Sequence, residues 1–144
     1  MSTFNPDSFL NTTVTEASST AYVPVPEGDF TAAVKEIKSR ATPNGAAILD
    51  VTWSIDDASV EAATGMKNPT VRQSVFLDIT EAGGLDTSKG KNISLGKLRE
   101  ALGQNTAGKP WQPGMLIGGV AKINVKHRLV EDNVYADVKG VAKL

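Results

Sequence analysis

The sequence contains no cysteine, which removes disulfides, thiolate nucleophiles and cysteine-held zinc together. It has one histidine, His127, so a multi-histidine metal site within one chain is excluded as well. No apolar run approaches the roughly 20 residues needed to cross a bilayer. The first residues, MSTFNPDSFL, lack the basic start and apolar block of a signal peptide. A soluble cytoplasmic protein is therefore expected, without membrane association. An excess of positive charge is also missing. Lys and Arg number 15 against 16 Asp and Glu, a net charge of −1. Bulk attraction to duplex nucleic acid is thus weak, which leaves room only for a local groove of cations. Placement of the charges says more than their sum. Asp56, Asp57 and Glu61 share one polar stretch, while Lys122, Lys126 and Arg128 lie close together near the end. A length of 144 residues suits one domain. A chain of that size buries roughly two thirds of its unfolded surface, so it needs no staples.

Residues 1–21 are rich in Ser, Thr and Asn and show no sustained period. They read as an arm, either flexible or laid over the surface. Its Phe4, Phe9 and Leu10 would dock on the body or on a neighbouring subunit; a frayed terminus is the alternative. YVPVPEG, 22–28, is a proline-punctuated lead-in to residues 22–144, read as one domain. In GDFTAAVKEIKSR, Phe30, Ala32 and Val34 share one parity and Ile37 breaks step, which a bulged or bent strand explains. ATPNG is a turn whose Asn-Gly favours positive φ. In AILDVTWSI, Leu49, Val51, Trp53 and Ile55 face one way and Asp50, Thr52 and Ser54 the other. Residues 56–70 read as a polar loop. The third strand, VRQSVFLDI at 71–79, sets Val71, Gln73, Val75, Leu77 and Ile79 against Arg72, Ser74, Phe76 and Asp78. The segment 93–103 is the one persuasive helix, with Leu95, Leu98, Ala101 and Leu102 in a stripe, Gly103 at its end and Gly96 available for close packing. MLIGGVAKINVKHR and DNVYADVKGVAKL then form two more strands, joined through Glu131-Asp132-Asn133. Three strands, a helix and two strands match a mainly β fold, the five-stranded OB-fold barrel with one α-helix between strands three and four. An open β-sandwich with an added helix is the rival.

Catalytic chemistry is hard to assemble. EAGGLDTSKGKN resembles a phosphate loop but has five residues between Gly84 and Gly90 where the motif needs four, and Asn92 stands where the Mg²⁺-holding Ser or Thr belongs. No G-x-S-x-G elbow occurs. Asp50 and Asp78 would meet across strands two and three and hold Mg²⁺ in a small nuclease, yet no third ligand offers itself. Adjacent Asp56 and Asp57 more simply solvate a turn. No enzyme activity, metal or other cofactor is expected.

The outward parity carries the functional signal. It presents Lys35, Lys38 and Arg40 on strand one, and Arg72 and Phe76 on strand three. Strand four offers Lys122, Lys126 and Arg128; strand five offers Tyr135 and Lys139. Cations that follow phosphates and flat rings that stack on bases are what single strands need. In an OB-fold the binding face centres on strands two and three, flanked by the loops between strands one and two and between four and five. Arg72 and Phe76 fall on that face, Lys38 and Arg40 flank the first loop, and Arg128 approaches the second. Each residue has a plainer alternative. Phe76 packs under the 56–70 loop or the arm, Trp53 belongs to the core rather than the barrel mouth, and Tyr135 packs rather than stacks. Trp111 covers the barrel bottom rather than contacting a partner, Lys122 and Lys139 are ordinary solvated charges, and His127 is structural rather than a ligand.

The order PEGDF, PNG, GKLREALG resembles the small single-stranded DNA-binding proteins of bacteriophage replication modules, over roughly residues 22–143. The matching residues are Pro26, Gly28, Asp29 and Phe30, then Leu98, Ala101, Leu102 and Gly103. The resemblance implies an OB-fold, no catalysis, and protection of single strands during replication or recombination in the bacterial host cytoplasm. The chain departs from the acidic, partner-recruiting tail of several such proteins by closing on the basic VKGVAKL. Recruitment of replication or recombination proteins then falls to the arm or is absent, and pairing of exposed barrel edges would make a homo-oligomer. The expected function is sequence-independent binding of single-stranded DNA. The alternative is a non-enzymatic β-rich interaction or virion assembly module, which would self-associate without nucleic acid.

Overall fold

Five stretches that alternate polar and apolar residues each bring one apolar edge, and closing the sheet on itself buries all five together without leaving open edges. The computed structural model of this chain, which describes residues 3–20 and 23–144, does so. Strands β1 (Gly28–Ala41), β2 (Ala47–Ile55), β3 (Thr70–Leu77), β4 (Val120–Val130) and β5 (Asn133–Ala142) form a closed barrel in the order β1-β2-β3-β5-β4. The fold is mainly β, as expected.

β1 serves both sides of the barrel. Its first part pairs with β4, from Gly28 opposite Val125 to Ala33 opposite Val120. Its later part pairs with β2, down to Ala41 opposite Ala47. Between Val34, opposite Trp53, and Glu36, opposite Thr52, Lys35 is the extra residue of a bulge. That insertion turns Ile37 onto the same side as Val34 and explains the broken parity. The β1–β2 turn uses Gly45 alone in the left-handed region, at φ 88°. Asn44 does not join it. Gly45 N–H donates to the Thr42 carbonyl at 2.9 Å, so this is a three-residue loop rather than a two-residue Asn-Gly turn.

The barrel core holds Val34, Leu49, Val51, Trp53, Ile55, Val71, Val75, Ala121, Ile123, Val125 and Val138. Helix α3 (Ile93–Ala101) adds Leu95 and Leu98, with Ala101 and Leu102 packed at its margin. The close approach expected at Gly96 lies elsewhere. A Cβ on Gly96 would meet nothing within 4 Å, whereas one on Gly119 would stand 2.7 Å from Leu102 Cδ1.

Four boundaries differ from expectation. The 56–70 stretch is not all loop: α2 (Ala58–Thr64) forms because Asp57 caps it, accepting from the N–H of Ser59 at 2.8 Å and of Val60 at 3.3 Å. Seven residues with Val60 as their only buried side chain are too few to show a stripe. The arm contains α1 (Pro6–Phe9), a single turn capped by Asn5. Met115 and Leu116 belong to a 3₁₀ turn, Pro113–Leu116, and β4 begins only at Val120. β3 ends at Leu77, and Ile79 makes an isolated bridge to Leu85. Residues 3–20 are exposed throughout; the boundary drawn between residues 21 and 22 lies outside the described residues.

Candidate nucleic-acid interface

Register converts the outward parity into rows that cross the barrel wall. Arg40, Ile48 and Phe76 make the first row, and Lys38, Asp50 and Ser74 the second. Glu36, Thr52 and Arg72 make the third, which continues through the single β3–β5 pair to Asp137 and on to Lys126. Arg128 and Tyr135, opposite each other on β4 and β5, form the last. Phe76 is 65% exposed and covered by neither α2 nor the arm. It stands four residues from Arg72 on the same face, about 13 Å along the strand. Where β3 and β5 meet, an open groove of about 560 Å³ is lined by Thr52, Thr70, Arg72, Arg128, Tyr135 and Asp137. Of the nine residues singled out from sequence, Arg72, Arg128 and Tyr135 line this groove; Lys38, Arg40 and Phe76 stand in the adjoining rows of β1 to β3, and Lys126 lies opposite Asp137 on β4.

The cations on this face are partly answered by carboxylates. Arg40 Nε–H donates to Asp50 Oδ2 at 2.7 Å, and the Ser74 hydroxyl donates to Asp50 Oδ1 at 3.1 Å. The bond from Arg40, helped by the one from Ser74, holds the Asp50 carboxyl below the usual carboxylate range. Arg128 Nε–H donates to Asp137 Oδ2 at 2.7 Å, which pushes the guanidinium pKa up, and its Cζ lies 5.1 Å from the Tyr135 ring centroid. Lys38 is 3.3 Å from Glu36. Arg72 and Lys126 form no ion pair among the described residues. The Lys38–Glu36 pair is exposed on both sides and worth little, whereas the Asp50 and Asp137 carboxylates are largely covered, so a phosphate has to compete with them for Arg40 and Arg128.

Two residues leave the set. Trp53 is wholly buried, and its indole N–H donates to Gln73 Oε1 at 3.0 Å, so it offers no ring face to a base. The same bond accounts for Gln73, the polar residue on the inward parity of β3. Lys122 projects from the far part of β4, opposite Ala142 and Thr31, and lines a different hollow with Asp29 and Asn124. Trp111 is half-buried, donates its indole N–H to Gln104 Oε1 at 2.9 Å and lies under the Arg99 guanidinium. His127 Nε2 lies 2.7 Å from the Val25 carbonyl.

The suggested Asp50–Asp78 pair does not form. Asp50 faces Ser74, and Asp78 lies beyond β3, where its carboxylate accepts the Asn92 N–H at 2.7 Å. Asn92 returns the bond: its side chain accepts the Asp78 N–H and donates to the carbonyls of Asp78 and Asp86. The 81–91 loop is therefore tied at its base through an asparagine in the left-handed region, φ 53°.

Sequence reading missed Asp50 and Asp137 as members of the face. Each has the outward parity of its strand, but which cation it meets depends on the strand pairing. No protein-family model matches this sequence, and no curated protein matches it either.

Proposed function

We propose that this chain is an OB-type barrel that binds single-stranded DNA with little sequence preference. The observation that carries the reading is Phe76, a large ring held out to water on a sheet face in register with Arg40 and in line with Arg72. Its cross-strand neighbour Ile48 is only 4% exposed, so the ring stands beside an apolar residue, and the part left in water has the form a stacking platform requires. The strand order β1-β2-β3-β5-β4, a bulged β1 shared by both sides of the barrel, and a helix between β3 and β4 support the OB assignment. The rows from Phe76 to Tyr135 follow the face such barrels use, and Lys38, Arg40, Arg72, Lys126 and Arg128 would follow the phosphates. The role proposed with it is protection of single strands in replication or recombination of the bacteriophage type, without catalysis.

Because Trp53 is buried and Trp111 lies outside the face, tryptophan emission is a poor reporter. The test is anisotropy of a labelled oligo-thymidine, with a duplex of equal length as competitor, at low and moderate salt. Tight binding to the single strand, weakened by salt and poorly competed by duplex, is expected. No binding to either form at low salt would overturn the proposal.

A further inference from the structure

Two apolar surfaces of this chain have no partner among the described residues. The first is on the arm. Asn5 caps α1, its Oδ1 accepting from the N–H of Asp7 at 3.0 Å and of Ser8 at 3.2 Å, and Pro6 opens the turn. Phe4 precedes the cap and Phe9 is the fourth helical residue, their ring centroids 5.3 Å apart, the arrangement of a hydrophobic staple. The turn is thus pre-organised, yet Phe4, Phe9 and Leu10 all remain exposed. A staple that covers nothing holds its side chains ready for another surface at reduced entropic cost.

The second surface is a groove of about 280 Å³, where the ends of β1 and β3 meet the 79–85 loop and Trp111. It is lined by Ile37, Leu49, Leu77, Ile79, Leu85 and Trp111 among others, and Lys38 is its one charged lining residue. Residues 1–34 carry Asp7, Glu16, Glu27 and Asp29 but no Lys or Arg. The arm is therefore apolar and acidic, and the groove is apolar with Lys38 at its rim, held there by the exposed Glu36 carboxylate at 3.3 Å, which Asp7 would replace.

We propose that the arm of one copy seats Phe9 and Leu10 in this groove of a second copy, with Asp7 toward Lys38. Each chain holds its own arm clear of its groove, so both surfaces are open on every copy. One such contact leaves a free arm and a free groove, which close on each other in a two-fold dimer or take up a third copy. So few side chains make a small, weak interface, read only at high protein concentration. The association needs no nucleic acid, although Lys38 is common to this groove and to the proposed strand-binding residues.

Sedimentation equilibrium of the full chain without DNA tests this. Phe9→Asp and Ile79→Glu change exposed side chains, so melting temperatures near wild type are expected. If Ile79→Glu melts early, Lys38→Glu replaces it by reversing the rim charge. Wild type should show an average mass that rises above the monomer with concentration, and each variant alone should associate at least about tenfold more weakly. An equimolar mixture should recover a one-to-one pair, because one variant keeps its arm and the other its groove. A wild type that stays monomeric, or variants that associate as wild type does, would overturn the proposal. So would a mixture that stays monomeric, which would assign the arm to its own chain or to a different protein.

Discussion

Phe76 and Trp53 belong to neighbouring strands and have opposite fates, and the difference separates binding from stability one side chain at a time. Phe76 gives its ring to water, so Phe76→Ala removes little that holds the barrel. Loss of a stacked base costs about 1–3 kcal/mol, roughly five- to 150-fold in Kd. The expected result is weaker oligo-thymidine binding by anisotropy with a melting temperature close to wild type. Trp53 behaves the other way. Trp53→Phe removes the indole N–H and leaves the Gln73 amide facing the interior without its partner. Gln73 is half-buried, so its lost bond costs about 1 kcal/mol, to which the lost volume in the core adds. Urea denaturation should show that loss, while affinity for the single strand stays within a factor of two or so of wild type. Reduced affinity in a Trp53→Phe protein that is still fully folded would place the binding surface at the barrel mouth instead.

At the scale of elements, the β4–β5 hairpin extends the face past the end of β1, since β1 pairs with β4 only as far as Val125. Its Arg128 is occupied by Asp137. Asp137→Asn should free that guanidinium for phosphate and tighten single-strand binding several-fold at low salt, an increase that fades as salt rises. Binding unchanged at low salt would mean that the hairpin lies off the path of the strand. The elements themselves were unevenly legible. The strands were readable because period-two alternation is imposed by burial of a single face, and α3 because four apolar residues recur at its spacing. α2 was not, because its formation depends on Asp57 as a cap and on one buried valine, which no periodicity can reveal. The start of β4 was misplaced for a related reason. Met115, Leu116 and Ile117 are as apolar as a strand, but Pro113 and the Gly118-Gly119 pair impose a turn there. The face was legible as cations and rings. Its carboxylates were not read as part of it, because placing Asp50 opposite Lys38 and beside Arg40, or Asp137 opposite Arg72, requires knowing which strands pair.

For the whole molecule, charge acts through stability and through binding, and the two have different ranges of control. Glu27, Asp50, Asp57 and Asp86 each have a lowered pKa, held down chiefly by hydrogen bonds from the His127 N–H, Arg40, Ser59 and Ser88 respectively. The unfolded chain therefore takes up protons at these sites at a higher pH than the folded one. Their stabilisation is complete above the ordinary carboxylate range and is lost as pH falls through the lowered values. Urea midpoints should be flat near neutrality and fall below about pH 4.5, and Asp50→Asn should flatten part of that fall. Binding is governed instead by how many cations lose counterions. With a net charge of −1, the molecule has no general attraction for a polyanion, so the slope of log K against log salt must come from the face alone. Five cations, each releasing roughly 0.7 counterion on a single strand, limit that slope to about −3.5. Glu36, Asp50 and Asp137 already neutralise three of them, so a slope nearer −1 to −2 is expected, steepening when Asp137 is replaced by Asn. A slope much steeper than −3.5 would require cations beyond this face, and Lys122 with the rest of β4 would then have to lie on the path of the strand.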